Sequence, residues 1–227
     1  MTRRYPEILP LDIGEFVFPP DDDWAGQRGV VVAYAVRRRG GVLLFDTGFG
    51  FGAPELEARY HQTGRRLDDV LGKAGIRLAE VDLVANCHLH VDHAGQNASL
   101  PGIPIHVQRA ELARARAGDY TIPSWIDGPG VVYVEADGDH DLAPGLRVLS
   151  TPGHSPGHQS LVVDQRAGPV VLAGQAVYGL EEWLGRPGRE GRSSAPDPAA
   201  YDASLDRLRA LDPVGVLFAH DRRSWAR

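Results

Sequence analysis

Three histidines and one aspartate stand within six consecutive residues of this chain: His88, His90, Asp92 and His93. They follow an apolar run at 81–86, so the motif occupies a loop between a strand and a helix. His88 and His90 project to one side of extended backbone because side chains alternate, and Asp92 and His93 can point together as the helix begins. Clustered protonated imidazoles would repel each other, whereas neutral imidazoles bind a divalent cation. The motif therefore predicts a metal site. The alternative is a polar loop with a chance excess of histidine, which nine histidines among 227 residues disfavour.

Two further histidines also follow apolar runs. His154 ends the turn 151–154 after the run 146–150, and prolines and glycines there restrict the turn before the protein folds. His220 follows the run 214–218 and precedes Asp221, near the end of the chain. Sheets can bring the loops at their strand ends to one point, so we expect these histidines to join the motif at 88–93.

Short β-branched runs bounded by Gly, Pro or Asp recur along the chain. We predict strands at 8–18, 30–36, 41–45, 81–86, 103–107, 131–134, 146–150, 159–163, 170–173 and 214–218, and helices at 67–74, 110–117 and 198–211. The helices fall between groups of strands rather than after each one. This pattern favours an α+β fold of two packed sheets with helices outside over a doubly wound parallel sheet. No linker rich in Ser or Gly divides the chain, so we expect one domain over 1–227, with 185–198 as a surface loop.

Composition narrows the class of protein. Hydrophobic residues make up 43% and charged residues 24%, a globular balance that excludes collagen, coiled coil and disorder. The net charge is −6 and the basic residues are scattered, which argues against nucleic-acid binding. No run approaches the ~20 apolar residues that span a bilayer, and no signal peptide is expected. We expect a cytoplasmic protein with a small-molecule substrate and no nucleic-acid or membrane partner; a homodimer is left open.

Cys87 is the single cysteine, so no internal disulfide can form. It directly precedes His88, and a thiolate ligand or nucleophile is one interpretation. The favoured alternative is a buried small hydrophobic residue at the end of an apolar run.

Taken in chain order, these motifs resemble the metallo-β-lactamase fold, and within it the N-acyl-homoserine lactonases, the quorum-quenching branch. The resemblance to the fold rests on Phe45-Asp46-Thr47-Gly48, the six-residue histidine motif, Thr151-Pro152-Gly153-His154 and Ala219-His220-Asp221, and runs from about Val30 to Asp221. The resemblance to the lactonases rests on the segments 87–95, 107–111 and 151–160. It implies an αββα sandwich with the site at one edge.

The resemblance also implies roles for residues. One metal would be held by His88, His90 and His154, and a second by Asp92, His93 and His220. Asp46 would orient a metal-bound histidine from behind, with a simple turn residue as the alternative. Tyr178 matches a tyrosine that hydrogen-bonds the substrate in the lactonases.

The implied cofactor is zinc, one or two ions per chain, with iron, manganese or cobalt as alternatives. The implied activity is that of a metal-dependent hydrolase in which metal-bound hydroxide opens acyl-homoserine lactones or related lactones. Asp92 would accept the proton of the water, and Tyr178 would donate to the carbonyl or the leaving alkoxide.

Gln175 departs from the family pattern, because the family usually has an aspartate there that bridges both metals. A glutamine keeps an acceptor oxygen but loses the charge that screens the repulsion between two cations. Gln175 therefore remains a candidate ligand, and a mononuclear or unevenly filled centre is an open alternative.

Two other functions stay open. One is another ester, thioester or lactam hydrolase with the same centre, and the other is a non-catalytic metal- or ligand-binding protein with a degraded dinuclear site. The six remaining ligands argue against the second. Among other residues, His158 is expected to be structural, and no role is expected for His61, His106 and His140. Candidates for an apolar substrate pocket, each with a core position as the alternative, are Trp24, Phe49, Phe51, Tyr120, Trp125 and Trp183.

Overall fold

The computed structural model describes residues 5–118 and 120–227. Its strands form two mixed sheets of six. The first sheet has the order β1 (Glu7–Val17), β2 (Arg28–Arg38), β3 (Gly41–Phe45), β4 (Val81–Ala85), β5 (Pro104–Gln108) and β6 (Val132–Ala136). β1, β2 and β3 pair antiparallel, whereas β3 to β6 run parallel.

The second sheet contains β7 (His140–Ala143), β8 (Leu146–Ser150), β9 (Gln159–Gln165), β10 (Gly168–Leu172), β11 (Gly215–Leu217) and β12 (Ser224–Ala226). Its spatial order is β12-β11-β10-β9-β8-β7, and only β10 and β11 pair in parallel. Both sheets therefore contain parallel and antiparallel pairs, and the two packed sheets agree with the sequence prediction.

The side chains of β3 show how the layers stack. Leu43 and Phe45 belong to the apolar cluster between the two sheets, whereas Val42 and Leu44 belong to the cluster between the first sheet and its helices. This alternation follows from the two-residue period of a strand, and a strand covered on both faces reads as a continuous apolar run. Burying each such side chain contributes roughly 1.5–3 kcal/mol.

The helices cover the outer faces of the sheets. They are α1 (Pro54–Tyr60), α2 (Leu67–Lys73), α3 (Val91–Ala94), α4 (Arg109–Ala117), α5 (Pro123–Ile126), α6 (Leu180–Trp183) and α7 (Pro198–Ala210). α2 and α4 bury Leu71 and Leu112 against the first sheet, and α7 buries Leu208 against the second. The architecture is the αββα sandwich, so the predicted fold class is confirmed.

The ten predicted strands are present with ends within two residues of those expected, and so are the three predicted helices. Sequence reasoning missed β7, β12, α1 and the four-residue helices α5 and α6. β7 and β12 are short strands at the edge of a sheet, and α1 buries no residue completely, so none carries a strong apolar period. Among the described residues, no helix has the length and apolar character needed to cross a bilayer.

Candidate metal centre and active site

The predicted ligands lie at strand ends in both sheets. The motif at 88–93 follows β4 of the first sheet, and it runs into α3, whose first residue is Val91. His154 follows β8 and His220 follows β11, both in the second sheet. The structure brings these residues together in two adjoining groups.

The three-histidine group consists of His88, His90 and His154. His88 Nε2 lies 2.9 Å from His90 Nδ1, and His154 Nε2 lies 3.1 Å from each of those atoms. Each hydrogen bond joins one donor to one acceptor. Three ring nitrogens that meet at one point therefore cannot all form hydrogen bonds with one another. One cation accepts a lone pair from each of them.

The Asp92 group consists of Asp92, His93 and His220. His93 Nε2 lies 3.2 Å from His220 Nε2, and Asp92 Oδ2 lies 3.4 Å and 3.6 Å from those two atoms. The rings of His88 and His93 have centroids 4.2 Å apart, so the two groups share a boundary.

The far sides of the Asp92-group histidines are engaged by other atoms. His93 Nδ1 lies 2.9 Å from Asp46 Oδ2, and His220 Nδ1 donates to the carbonyl oxygen of Val30 at 2.8 Å. Each Nδ1 therefore carries the proton in the neutral ring, which leaves the Nε2 lone pairs directed at the shared point.

Asp46 stands in the left-handed region at φ 68°, a conformation that aspartate tolerates better than most residues. Its carboxylate accepts from the backbone N–H of Cys87 at 2.7 Å, and its Oδ2 accepts from Cys87 Sγ at 3.0 Å. Burial, together with the Asp46 charge, raises the pKa of the Cys87 thiol, which therefore stays protonated as a donor. The favoured reading of Cys87 as a buried residue agrees with its place, but the thiol also lies 3.0 Å from His88 Nδ1.

Electrostatics keep most of the imidazoles neutral. Burial lowers the pKa of His90 to about 3 and that of His220 to about 4, and it lowers the pKa of His88 and His154 well below the usual range. Burial acts to raise the pKa of Asp92, but His93 and His220 hold it well below its usual range, so the carboxylate is ionised. Burial acts to lower the pKa of His93, but Cys87, Asp92 and Asp46 raise it well above the usual range, so this ring gives up a proton when a cation binds. Neutral imidazoles beside one carboxylate are the donor set that suits zinc and similar transition metals.

Both groups open onto a cavity of about 600 Å³. Aromatic side chains make up much of its wall: Phe16, Phe18, Trp24, Phe49, Tyr60, Tyr120 and Tyr178. Of the aromatic candidates from the sequence, Trp24, Phe49 and Tyr120 therefore line it. Trp125 and Trp183 are buried core residues and Phe51 is exposed. Phe16, Phe18 and Tyr60 were missed because they lie far from the motifs in sequence.

Tyr178 lies beside the Asp92 group. Its ring stacks on that of His220 with centroids 5.0 Å apart, and it contacts the ring of Trp24 at 4.8 Å. Its hydroxyl is buried and has no hydrogen-bond partner within the described residues. Burial raises the pKa of the phenol, although the nearby Arg189 guanidinium acts in the opposite direction. The hydroxyl is therefore a protonated donor at neutral pH.

His158 lies behind the three-histidine group. Its Nδ1 lies 3.1 Å from the Thr151 carbonyl oxygen, and its Nε2 accepts from the Gln175 backbone N–H at 2.9 Å. Both ring nitrogens are thus used within the fold, which supports a structural role. Gly174 stands at φ 60°, and a Cβ there would come within 2.7 Å of His158 Nε2, so only glycine fits this close approach.

Gln175 lines the cavity beside the ligands. Its Oε1 is buried and has no hydrogen-bond partner in the part of the chain that the structure describes. The remaining histidines lie elsewhere: His61 ends α1, and His106 stacks on His140.

Sequence reasoning assigned no role to Glu111, which is almost completely buried. One carboxylate oxygen accepts from the backbone N–H of Leu89 at 2.9 Å and from the Tyr120 hydroxyl at 2.5 Å. The other accepts from Ser155 Oγ at 2.6 Å and from the Gly157 N–H at 3.1 Å. Glu111 thereby fixes the loop of His88 and His90 relative to the turn of His154. In the sequence it looks like an ordinary acidic residue in the first turn of a helix.

A comparison with known families agrees with this geometry. The sequence profile of the metallo-beta-lactamase superfamily matches residues 26–220, so the chain belongs to that superfamily. It is accordingly a metal-dependent hydrolase.

Its relatives point to one branch. An N-acyl homoserine lactonase of Bacillus sp is 33% identical over 208 residues, covering 84% of this chain and 81% of that protein. N-acyl homoserine lactonase AiiA of Bacillus thuringiensis subsp. kurstaki is 31% identical with the same coverage. The predicted membership in the lactonase branch is therefore confirmed.

Solved structures agree with the sequence relatives. A quorum-quenching N-acyl homoserine lactone lactonase has a TM-score of 0.80 and 26% identity, with 98% of this chain and 95% of that chain covered. An N-acyl homoserine lactone hydrolase with N-hexanoyl-L-homoserine at its catalytic metal centre has a TM-score of 0.79 at the same identity and coverage. AidC, described as a dizinc lactonase, shares the fold at a TM-score of 0.73 and 18% identity, covering 97% of this chain and 90% of that one.

Proposed function

We propose that this chain hydrolyses N-acyl homoserine lactones, opening the lactone ring to the N-acyl homoserine. The observation that carries the proposal is the pair of ligand groups at an aromatic-lined cavity, in a chain whose relatives are N-acyl homoserine lactonases. The aromatic wall suits the apolar acyl chain, and the polar groups beside it suit the lactone carbonyl.

The metal ions would be held by the two ligand groups. His88, His90 and His154 would hold one zinc ion, and Asp92, His93 and His220 would hold a second. When bound, zinc polarises the carbonyl and lowers the pKa of water toward ~7. Asp46 acts through its contact with His93 Nδ1, which fixes the tautomer and direction of that ring.

Two protons have to move in the reaction. The Asp92 carboxylate is ionised and lines the cavity, so it is the group that would accept the proton of the attacking water. Water oxygen adds to the carbonyl carbon, and the bond from that carbon to the ring oxygen breaks. The Tyr178 hydroxyl, which donates to no acceptor among the described residues, would stabilise the carbonyl oxygen or give the leaving alkoxide its proton.

A substrate panel tests the proposal. Zinc-loaded protein should turn over N-acyl homoserine lactones faster than simple esters, thioesters or β-lactams of similar size, with ring opening followed by the acid released. His90→Ala should lower kcat/KM by at least about 100-fold because it removes a ligand and with it the Lewis acid. His61→Ala, which replaces an exposed histidine at the end of α1, is the matched control and should retain activity.

Other outcomes would favour the alternatives. Faster turnover of thioesters or lactams than of lactones would indicate a different hydrolase on the same centre. Tight lactone binding without turnover at any zinc concentration would indicate a binding protein and would contradict the proposal.

A further inference from the structure

The two ligand groups differ in charge. The three-histidine group offers neutral imidazoles alone, whereas the Asp92 group includes one carboxylate and has a second, that of Asp46, in contact with its His93. The closeness of the His88 and His93 rings, 4.2 Å between centroids, places two bound cations near each other. Their mutual repulsion is strong in a site removed from water, because screening there is weak.

Gln175 lines the cavity onto which both ligand groups open, and its side chain carries no charge that could offset that repulsion. Its backbone N–H is held by His158, whose ring lies 5.5 Å from that of His88. Its side chain lines the cavity with His90, Asp92, His154 and His220, and its buried Oε1 has no partner among the described residues. A buried amide oxygen without a hydrogen bond is costly unless a ligand engages it.

We propose that the centre binds its two cations with clearly unequal affinity, because Gln175 supplies a neutral amide oxygen where the pair of cations needs an anion. The inference rests on the proposed metal centre. The first cation occupies the Asp92 group, and the second occupies the three-histidine group weakly. At a limiting supply of metal the protein therefore holds one cation per chain.

The order follows from the charges on the two groups. The Asp92 carboxylate attracts a cation directly. The Asp46 carboxylate contacts His93 Nδ1 and so adds a second negative charge on the far side of that ring. The three-histidine group has no carboxylate of its own, and it receives its cation only after a positive charge is already present next to it.

Zinc binding tests this inference without reference to turnover. The purified full-length chain is equilibrated with buffers of fixed free zinc, and bound zinc per chain is measured by atomic absorption. Two steps should appear, with dissociation constants at least about 100-fold apart. Anomalous scattering from crystals equilibrated at the first plateau should place zinc between Asp92, His93 and His220.

Substitutions at Gln175 isolate the charge. Gln175→Asp should lower the dissociation constant of the second zinc by at least about tenfold. Gln175→Asn should not, because asparagine has the size of aspartate but no charge. Gln175→Glu, which keeps the native length, serves as a second test of added charge. Without zinc both acidic variants should melt at a lower temperature than the native chain, because they bury an unpaired charge. With saturating zinc the difference should reverse.

Three results would overturn the inference: two equal zinc steps in the native chain, first-step zinc bound by the three histidines, or equal effects of Gln175→Asp and Gln175→Asn. Failure of the proposed function is separate, because it would show as stepwise zinc binding by a protein that hydrolyses no lactone.

Discussion

At the scale of single residues, the candidate metal centre depends on side chains that lie behind the candidate ligands and hold them in place. Asp46 accepts three contacts, from the Cys87 N–H, the Cys87 thiol and His93 Nδ1, and it does so from a left-handed backbone. Such backbone outliers are often found where a side chain must be aimed. The ring of His93 is consequently held from behind while its Nε2 faces Asp92 and His220.

Asp46→Asn should weaken zinc binding by about 10–100-fold, because a neutral amide is a weaker acceptor for His93 Nδ1–H and no longer strengthens the donor character of Nε2. Zinc per chain at fixed free zinc measures the effect. Asp141→Asn changes an exposed aspartate of β7 in the same way and should leave zinc binding unchanged. Equal zinc affinity in the Asp46 variant would contradict the orienting role.

Tyr178→Phe should lower kcat for lactone hydrolysis by on the order of 10²-fold, because the Tyr178 ring stacks on His220 at the cavity and its hydroxyl donates to no acceptor among the described residues. Zinc content and melting temperature should stay the same, since the stacked ring remains. Tyr133→Phe, which removes a hydroxyl bonded to the Ile126 carbonyl oxygen, is the control. An unchanged kcat would show that Tyr178 only packs against His220.

The candidate ligands could be picked out from the sequence, whereas the residues that hold them in place could not. The cluster of three histidines and an aspartate within six residues indicates His88, His90, Asp92 and His93. The turn rich in proline and glycine indicates His154. Glu111 and Glu182 resemble ordinary surface acids at the start of helices, yet both are buried. Only the packed structure shows Glu182 accepting from the backbone N–H of Tyr178 and from the Tyr201 hydroxyl. Residues that are far apart in sequence leave no local pattern from which such contacts could be predicted.

At the scale of elements, one contact between the sheets involves a titratable pair. His106 of β5 stacks on His140 of β7, with ring centroids 5.7 Å apart and 19° between the planes. His106 Nδ1 and His140 Nε2 are both buried without a hydrogen-bond partner among the described residues. Burial, and then the neighbouring His140, lowers the pKa of His106. Sequence reasoning gave this pair no role because the two histidines lie in different sheets.

The lowered pKa predicts a dependence of stability on pH. The folded state keeps His106 neutral, whereas the unfolded chain takes up a proton as the pH falls through about 6.5. The contribution of neutral His106 to the free energy of unfolding is therefore fully present above that pH, and it is lost as the pH falls below it. His106→Phe keeps a ring against His140 but cannot titrate, so its melting temperature should fall less between pH 7.5 and 5.5, by on the order of 1–2 °C.

The control for this comparison is His61→Phe, at an exposed position that should leave the acid sensitivity unchanged. The melts are compared at saturating zinc, so that protons competing for the ligand histidines affect every variant alike. A His106→Phe protein with the native pH dependence would contradict the assignment.

At the scale of the whole molecule, the end of the chain joins the two sheets at the metal centre. The Phe218 carbonyl oxygen accepts from the Tyr34 hydroxyl at 2.7 Å, and the Ala219 carbonyl oxygen accepts from the Val32 N–H at 2.8 Å. Together with the bond from His220 to Val30, these contacts fasten the loop after β11 onto β2. The segment therefore links the second sheet to the first and carries a candidate ligand. Its position near the C-terminus makes it look dispensable in the sequence.

Truncation separates these two roles. A chain that ends before Ala219 should lose the zinc held by the Asp92 group, because His220 is removed, while zinc at the three-histidine group should depend less on the cut. A chain that ends at Arg223 keeps His220 and Asp221 and loses only β12, so it should retain its zinc and melt at a somewhat lower temperature. Zinc per chain at fixed free zinc, read together with the melting curve, distinguishes the two proteins. Loss of zinc from both groups in both truncated chains would mean that the tail matters for folding rather than for coordination.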